Sequence, residues 1–293
     1  MALNCIVTGA TGGLGYEVAA GLARAGHRVL VTGRSAAKGD AALGRLWREV
    51  PGAAAEFALL DVASLRSVAA FADGSAEPVD ILVNNAAVMG LPQRELTEDG
   101  FEKQIGTNYL GHFALTGRLL HRLNAAPRAR VVSLASLAHR RGQLQLDDFV
   151  SERSYSPRGA YAQSKLAMLV FARELQRRAA EHGAKFVSIA AHPGWSATRI
   201  VLNGMGQGLR ERVMQSVFSA LAQPPAEGAR PILFAALDNQ AQPGGYYGPS
   251  RLQETRGPPS SSKVVPQAQD VNAARRLWAL SEQLTGVHFN WTD

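Results

Sequence analysis

Short apolar runs rich in β-branched residues alternate with longer segments of helical periodicity along most of the chain. NCIVTG (4–9) and HRVLVTGR (27–34) predict buried strands, and LGYEVAAGLARAG (14–26) between them predicts a helix. The alternation continues with strands at AEFALLDV (55–62), VDILVNNA (79–86), ARVVSLAS (129–136) and AKFVSIAAHPG (184–194), and with helices over 64–73, 97–123 and about 160–181. This order predicts an α/β fold, a doubly wound parallel sheet (Rossmann fold), in a single domain over residues 1–293.

The pattern becomes less regular after Pro193, where segments at about 195–265 are expected to bind and cover a substrate. The elements predicted in the last third of the chain are helices over 209–222 and 225–237, a short strand in GGYYGP (244–249), a loop in TRGPPSSSKVVP (255–266) and a closing helix over 270–284. Four residues of the closing helix are predicted to face inward: Val271, Ala274, Leu277 and Trp278.

Composition and charge narrow the functional classes. The chain has 293 residues, 46% of them hydrophobic, and a formal net charge of +7, but its basic residues are scattered singly rather than gathered into a nucleic-acid-binding stripe. The single cysteine, Cys5, allows no disulfide within the chain. No signal peptide and no apolar run of about 18 residues is recognisable, so we expect a cytoplasmic protein without a transmembrane segment. No histidine or acidic cluster has metal-ligand spacing, which predicts no metal.

The stretch TGATGGLG (8–15) follows the first predicted strand directly and opens the first predicted helix. Its TGxxxGxG spacing places glycines where a turn needs positive φ and where the main chain must approach a pyrophosphate. The free N–H groups of the helix N-terminus would then face the phosphates. The pattern therefore predicts a dinucleotide-binding turn, with a merely tight strand-to-helix turn as the alternative.

The end of the second predicted strand favours NADP over NAD. TGRS has no carboxylate that could accept the ribose hydroxyls of NAD, and Arg34 stands there with Ser35 and Lys38 close behind. A guanidinium can pair bidentately with a 2'-phosphate, whereas a solvent-exposed arginine at a strand end is the alternative interpretation. Asp61 and Val62 end the third strand, where they are predicted to meet the adenine.

A candidate reacting group lies in YAQSK, where Tyr161 and Lys165 are one helical turn apart. The lysine charge can favour the tyrosinate, although such pairs also occur by chance on exposed helices. Ser136 ends the fifth strand, at the sheet edge where ligands bind in this architecture, and its hydroxyl could hold a substrate carbonyl. Asn108 falls inside the predicted long helix, where a structural role is as good an explanation as a catalytic one.

Together these motifs resemble the short-chain dehydrogenase/reductase family over nearly the whole chain. TGxxxGxG, NNA, the helix asparagine, the strand-end serine, YxxxK and the following PG occur in the family's order. DGFEKQIGTNYLGHFALT, SLAH and HPGW are similar to the branch that contains retinol dehydrogenases and related reductases of bulky hydrophobic carbonyls. Two positions depart from the family pattern: Ala87 stands where NNAG has its glycine, and Ala135 stands in place of the first serine of a usual pair.

The resemblance implies an NADP-dependent carbonyl reductase or alcohol dehydrogenase acting on a small molecule. By this resemblance, Tyr161 would be the general acid/base, and Lys165 would bind the nicotinamide ribose and lower the pKa of that tyrosine. Ser136 would orient the carbonyl, and Asn108 would anchor a proton-relay water. The implied cofactor is NADP(H), with NAD(H) less favoured. The oligomeric state stays open: related enzymes often form a homodimer or tetramer, yet monomers occur in this branch.

Two sets of binding residues follow. The residues expected to bind the cofactor are Thr8, Gly9, Thr11, Gly13, Leu14, Gly15, Arg34, Lys38, Asp61, Val62, Asn85, Ala86, Ala87, Tyr161, Lys165, Pro193, Gly194 and Thr198. Those expected to line the substrate pocket are Met89, His139, Tyr155 and Trp195, which could equally be core or surface residues. Two other functions stay open: a non-catalytic NADP-binding regulatory or scaffold protein, and a sugar-nucleotide epimerase, which usually has a different glycine spacing.

Overall fold

The computed structural model describes residues 2–74, 76–195 and 223–291. Its strands are β1 (Asn4–Val7), β2 (Arg28–Gly33), β3 (Ala55–Leu59), β4 (Ile81–Asn84), β5 (Arg130–Leu134), β6 (Val187–Ala191), β7 (Tyr246–Arg251) and β8 (Arg256–Ser261). Its α-helices are α1 (Gly13–Arg24), α2 (Ala36–Glu49), α3 (Leu65–Asp73), α4 (Lys103–Ile105), α5 (Gly111–Arg118), α6 (Leu120–Ala125), α7 (Pro157–Glu181), α8 (Pro225–Leu237) and α9 (Val271–Thr285). The predicted helix over 209–222, Thr198 and the segment 196–214, which is part of the predicted substrate-covering region, lie outside the described residues.

The eight strands form one sheet in the order β3-β2-β1-β4-β5-β6-β7-β8. The pairs from β3 through β7 are parallel, and β8 alone runs antiparallel to its neighbour β7. Successive strand residues point to opposite faces, so Ile6 joins the core under α3, α5, α7 and α9, while Val7 joins the core under α1, α2 and α8. This arrangement confirms the predicted doubly wound α/β fold.

The chain order along the sheet decides where a ligand can bind. Strands β2 and β3 lie on one side of β1, and β4, β5 and β6 lie on the other, so the order reverses between β1 and β4. A crevice opens at the carboxyl ends of the strands at such a reversal. The glycine turn follows β1, NNAA (84–87) ends β4 and continues past it, Ser136 follows β5, and Pro193 follows β6. The fold therefore brings all four predicted motifs to one edge of the sheet.

The prediction of one continuous helix over 97–123 is wrong. Gly100, at φ +83°, closes a turn, and the helix starts only after Glu102, whose carboxylate caps it by accepting hydrogen bonds from the backbone N–H groups of Gln104 (3.0 Å) and Ile105 (2.8 Å). Residues Gly106–Leu110 then form a π-helical turn before α5 begins. Apolar periodicity missed both features because neither a side-chain cap nor one extra residue in a turn disturbs the apolar pattern enough to show.

Two further predictions near the C-terminus are wrong. The predicted loop over 255–266 contains β8, and Pro259 pairs with Pro249 of β7 there. The prolines in this stretch suggested a loop, because proline donates no backbone hydrogen bond. An edge strand such as β8 tolerates proline for the same reason that a loop does, since one side of it is unpaired. Val271, predicted to face inward, is 44% exposed at the first turn of α9, whereas Ala274, Leu277 and Trp278 are buried as expected.

No helix in these described ranges is both long and apolar enough to cross a lipid bilayer. Within the same residues, no three or more His, Cys, Asp or Glu side chains are grouped so that they could hold a metal ion.

Candidate active site

A cavity of about 1570 Å³ opens at the carboxyl edge of the sheet. Most of the predicted site residues line it: Gly9, Thr11, Gly13, Leu14, Gly15, Arg34, Lys38, Asp61, Val62, Asn85, Ala86, Ala87, Met89, Ser136, Tyr161, Lys165, Pro193, Gly194 and Trp195. The chain thus collects residues from more than 180 positions of sequence into one wall, as the strand order requires.

The glycine turn is shaped for a group that must lie close to the backbone. Gly9 has φ +64°, and a Cβ built there would lie 2.9 Å from Ala86. A Cβ on Gly15 would lie 2.4 Å from the Asn85 amide nitrogen. The turn leads directly into α1, a helix of 12 residues. The N–H groups of its first turn have no partner within the helix and face the cavity edge. This geometry fits a dinucleotide pyrophosphate.

Hydrogen bonds of the Thr8 and Asn85 side chains hold this turn in place. The Thr8 hydroxyl accepts hydrogen bonds from the backbone N–H groups of Asn85 (2.8 Å) and Ala86 (2.9 Å), and the residue is fully buried. The Asn85 amide donates to the carbonyl of Thr8 at 2.7 Å. Thr8 was predicted to bind the cofactor, but among the described residues it does not line the cavity; its side chain ties the end of β1 to the end of β4.

Next to the glycine turn, three residues that follow β2 line the cavity: Arg34, Ser35 and Lys38. Ser35 caps α2 by accepting a hydrogen bond from the backbone N–H of Lys38 at 3.5 Å. Two cationic side chains therefore lie beside a helix N-terminus, which is a favourable setting for a phosphate. Asp61 and Val62 line the same end, following β3.

Tyr161 and Ser136 meet at the cavity wall. Both side chains line the cavity, and the Ser136 hydroxyl accepts a hydrogen bond from the backbone N–H of Ala138 at 3.2 Å. Burial raises the pKa of Tyr161 above its usual value, and Ser136 lowers it in part. The phenol is therefore protonated at neutral pH and can donate a proton to an oxygen placed beside Ser136.

Lys165 is buried one turn further along α7. Its Nζ lies 5.9 Å from the centroid of the Tyr161 ring and donates a hydrogen bond to the Leu134 carbonyl at 3.0 Å. Burial lowers the pKa of Lys165 to about 8, so the ammonium form still predominates at neutral pH. Lys165 is not among the groups that shift the pKa of Tyr161 here: burial of the phenol raises that pKa, and Ser136 lowers it in part.

Asn108 sits in the π-helical turn, fully buried and outside the cavity lining of the described residues. Its amide oxygen accepts from the Val88 N–H (2.7 Å), and its amide nitrogen donates to the Val88 carbonyl (2.9 Å) and the Ser164 hydroxyl (2.9 Å). The side chain thereby joins the loop after β4 to α7, three residues beyond Tyr161. The geometry gives Asn108 a positioning role between the two walls.

Replacing Asn108 by alanine is expected to lower the free energy of unfolding by about 3 kcal/mol, since three buried hydrogen bonds are lost at about 1 kcal/mol each. The reaction rate should fall as well, because Val88 lines the cavity. Urea unfolding followed by far-ultraviolet circular dichroism measures the change. Asn272→Ala, at an exposed position of α9, is the control and should move the free energy by less than about 0.5 kcal/mol. Equal unfolding midpoints for the two variants would contradict the positioning role.

Two of the four predicted substrate residues are placed differently from expectation. Met89 and Trp195 line the cavity, and Trp195 is 46% exposed. Among the described lining residues, His139 and Tyr155 are absent. His139 is buried with its Nδ1 2.6 Å from the Ser136 carbonyl, and Tyr155 donates its hydroxyl to the Leu91 carbonyl at 2.6 Å. Both side chains satisfy backbone groups behind the wall, which sequence position alone cannot distinguish from lining it.

His112 is a buried residue of this region that sequence analysis missed. Its Nε2 lies 2.9 Å from the Thr8 hydroxyl, and its Nδ1 lies 3.1 Å from the Asn108 carbonyl, which can only accept. Burial lowers the pKa of His112 to about 4, so the ring is neutral, with its proton on Nδ1 and Nε2 accepting from Thr8. The signal that could have indicated this bridge is a histidine four residues after Asn108 on an otherwise apolar helix.

Comparison with known proteins gives consistent matches. Residues 4–204 match the family model described as short chain dehydrogenase. Human retinol dehydrogenase 13 is 37% identical over 96% of this chain and 84% of that protein. A crystal structure of an uncharacterized protein from Mycobacterium Paratuberculosis superposes with a TM-score of 0.81 at 39% identity, covering 98% of this chain and 95% of that chain. A short chain dehydrogenase from Shigella flexneri complexed with NADP shares the fold at 20% identity, with a TM-score of 0.65 over 83% and 95% of the two chains.

Proposed function

Because the chain belongs to the short-chain dehydrogenase family, an oxidoreductase family acting on alcohol and carbonyl groups, we propose that it is an NADP-dependent reductase of a bulky, hydrophobic carbonyl compound. One observation carries this proposal: Tyr161, which burial keeps protonated, and Ser136 share the wall of a cavity whose other end fits a dinucleotide. We also propose a reducing, cytoplasmic setting, which agrees with a single cysteine, Cys5, that is buried.

The cofactor end fits NADP in its shape and its charge. The glycine turn would hold the pyrophosphate, Arg34 and Lys38 would hold the 2'-phosphate, and Asp61 with Val62 would contact the adenine. When bound, NADPH supplies a hydride to the carbonyl carbon. The Shigella flexneri protein of the same fold was crystallised with NADP, which supports the choice of cofactor.

At the reacting end, each of three side chains has one task. Ser136 holds the carbonyl oxygen beside the phenol, and Tyr161 donates its proton to that oxygen as negative charge develops there. The buried ammonium of Lys165 lies one turn away, where it favours the tyrosinate that the proton transfer leaves behind. In the oxidative direction the ionised form of Tyr161, which the Lys165 ammonium favours, would take the proton from the alcohol.

The lining beyond the reacting group supports a hydrophobic substrate. Val88, Met89, Leu137, Trp195 and Pro225 contribute apolar surface around the Ser136 and Tyr161 end of the cavity. Apolar walls with a few convergent polar groups are typical of pockets for small apolar molecules. The 37% identical human relative is named for retinol, which is a bulky hydrophobic alcohol, and this agrees with the lining.

A panel of ketones, aldehydes and alcohols assayed with NADPH and NADP tests the proposal directly. We expect turnover with aromatic or long-chain carbonyls and lower KM values as the apolar part of the substrate grows. The main competing function is a non-catalytic NADP-binding protein of the same fold. That alternative gains if NADPH binds tightly and no carbonyl or alcohol in the panel is converted.

The NADP preference is expected to depend on Arg34. Arg34→Ala should raise the Kd of NADPH roughly 10- to 100-fold while changing the Kd of NADH less than about twofold, because only the 2'-phosphate loses its charged hydrogen bonds. Titration of both cofactors by isothermal calorimetry measures this. Arg28→Ala, at the far end of the same strand and paired with Glu77 at 3.9 Å, is the matched control. An unchanged ratio of the two affinities in Arg34→Ala would show that another group sets the preference.

A further inference from the structure

Behind the substrate end of the cavity, one carboxylate gathers donors from three parts of the fold. The Glu254 carboxylate accepts from Arg140 Nη2 at 2.8 Å, from His192 Nε2 at 3.1 Å and from the backbone N–H of Lys263 at 3.2 Å. Its side chain is only 14% exposed. Burial alone would raise the pKa of Glu254, but the bonds from His192 and Lys263 and the charge of Arg140 lower it to about 2. The carboxylate is therefore ionised and fully engaged.

His192 transmits this contact to the backbone that follows β6. The ring is fully buried, and its Nδ1 accepts a hydrogen bond from the Gly194 N–H at 3.1 Å. Because Nδ1 is an acceptor, the proton of the neutral ring lies on Nε2, which donates to Glu254 at 3.1 Å and also lies 3.0 Å from the Ser262 hydroxyl. The space for the ring comes from Gly248 of β7, where a Cβ would lie 1.9 Å from Nε2. Glu254 thus fixes the ring, and the ring fixes Gly194.

The hairpin that carries Glu254 contacts the same backbone a second time. The Trp195 N–H donates to the Thr255 carbonyl at 2.9 Å, and a Cβ on Gly194 would lie 2.4 Å from that carbonyl oxygen. Leu252, Gln253 and Glu254 have φ of 49°, 56° and 67°, a region that non-glycine residues rarely adopt. Such backbone persists where surrounding contacts over-determine it, often beside a functional site.

Arg140 links this hairpin to the wall formed by the segment that follows β5. It lies in the short 3-10 turn of Leu137–Arg141 that starts directly after Ser136, and it lines the cavity together with Gln253 and Thr255. The ion pair between Arg140 and Glu254 therefore spans from the strand that presents the reacting serine to the hairpin. Through His192 the same carboxylate reaches the wall made by Pro193–Trp195.

We propose that Glu254 is a positioning residue that holds the two walls of the substrate end at a fixed separation and so sets the affinity for the carbonyl substrate. It touches neither the cofactor end nor Tyr161, and it acts through Arg140 and His192. The inference rests on the proposed reductase function for its kinetic consequence, while its structural consequence can be measured without turnover.

Glu254→Gln keeps the size of the side chain and removes its charge. We expect KM for a carbonyl substrate to rise roughly tenfold, while kcat and the Kd of NADPH change less than about threefold, because a misplaced wall weakens substrate binding and leaves the proton donor intact. Hydrogen exchange measured by mass spectrometry should speed up at the amides of Gly194 and Trp195, again by about tenfold. Glu227→Gln, which breaks an exposed ion pair with Arg230, is the matched control.

Arg140→Gln provides an independent test, because that side chain is 32% exposed and its loss should not prevent folding. It should raise KM by no more than Glu254→Gln does, because it breaks one of the three contacts of that carboxylate, and the double variant should be no worse than Glu254→Gln alone. Unchanged hydrogen exchange at 192–195 in both variants, or equal losses in kcat and kcat/KM, would overturn the proposal. Faster exchange in a protein that converts no substrate would instead retain the positioning role and refute the reductase function.

Discussion

Tyr161→Phe is expected to lower kcat/KM for carbonyl reduction by about 10²- to 10⁴-fold, the usual contribution of a positioned proton donor. The substitution removes one hydroxyl and leaves the ring packed as before. Because burial raises the pKa of Tyr161 and keeps it protonated, that hydroxyl can supply a proton at the same wall as Ser136. The affinity for NADPH should change less than about twofold, since the glycine turn and Arg34 are untouched.

Steady-state oxidation of NADPH with the best substrate from the carbonyl panel measures the loss. Tyr155→Phe is the matched control, because its hydroxyl bonds the Leu91 carbonyl behind the wall and should matter little for rate. A Tyr161→Phe protein that keeps wild-type turnover would remove the general-acid role. If the variant also lost NADPH binding, the effect would lie in the fold of the site and not in proton transfer.

The sequence predicted the fold and the backbone of the glycine turn well because those parts depend on local rules. Buried strands and covering helices follow from apolar periodicity, and the glycine turn follows from backbone geometry that only glycine meets at φ +64°. The carboxyl ends of parallel strands then meet at one edge whatever the loops do. Ser136 is therefore predicted at that edge from the strand pattern alone, whereas its association with Tyr161, 25 positions further on, follows from the resemblance to the family.

What the sequence could not predict depends on contacts between distant segments. For Asn108 the sequence allows a structural or a catalytic role. Only its hydrogen bonds to Val88 and Ser164 show how it positions the site. His139 was expected in the pocket, yet a ring that bonds the Ser136 carbonyl must turn away from the cavity. Glu254 could not be predicted, because a single carboxylate in a polar stretch has no periodic signature. Its role depends on its contacts with Arg140 and His192, which are distant in sequence.

The second large effect on activity is expected at Lys165, whose charged form is disfavoured by its burial. Lys165→Met is expected to lower kcat/KM by roughly 10²-fold or more, because the tyrosinate formed in the reaction loses its nearby positive charge. Adding an alkylamine to the assay should restore part of the rate if the ammonium itself is what was lost. Lys185→Met removes the same charge at an exposed lysine and is the matched control. Turnover within about twofold of wild type would exclude this role for Lys165.

The same variant is expected to be more stable than wild type at neutral pH. Burial lowers the pKa of Lys165 from 10.5 to about 8, and the difference corresponds to about 3 kcal/mol for holding the charged form inside the protein. Loss of the hydrogen bond to the Leu134 carbonyl offsets about 1 kcal/mol, so Lys165→Met should gain about 2 kcal/mol in the free energy of unfolding.

The sign of the pH dependence follows from the direction of that shift. Between about pH 8 and pH 10.5 the unfolded chain binds the lysine proton and the folded chain does not, so wild type gains stability relative to Lys165→Met as the pH rises. From pH 7.5 to pH 9.5 the wild type should gain about 2 kcal/mol on the variant, and urea unfolding at the two pH values measures this. A stability difference that stays constant with pH would mean that the pKa of Lys165 is the same in the folded and the unfolded chain, so that burial does not penalise its ammonium form.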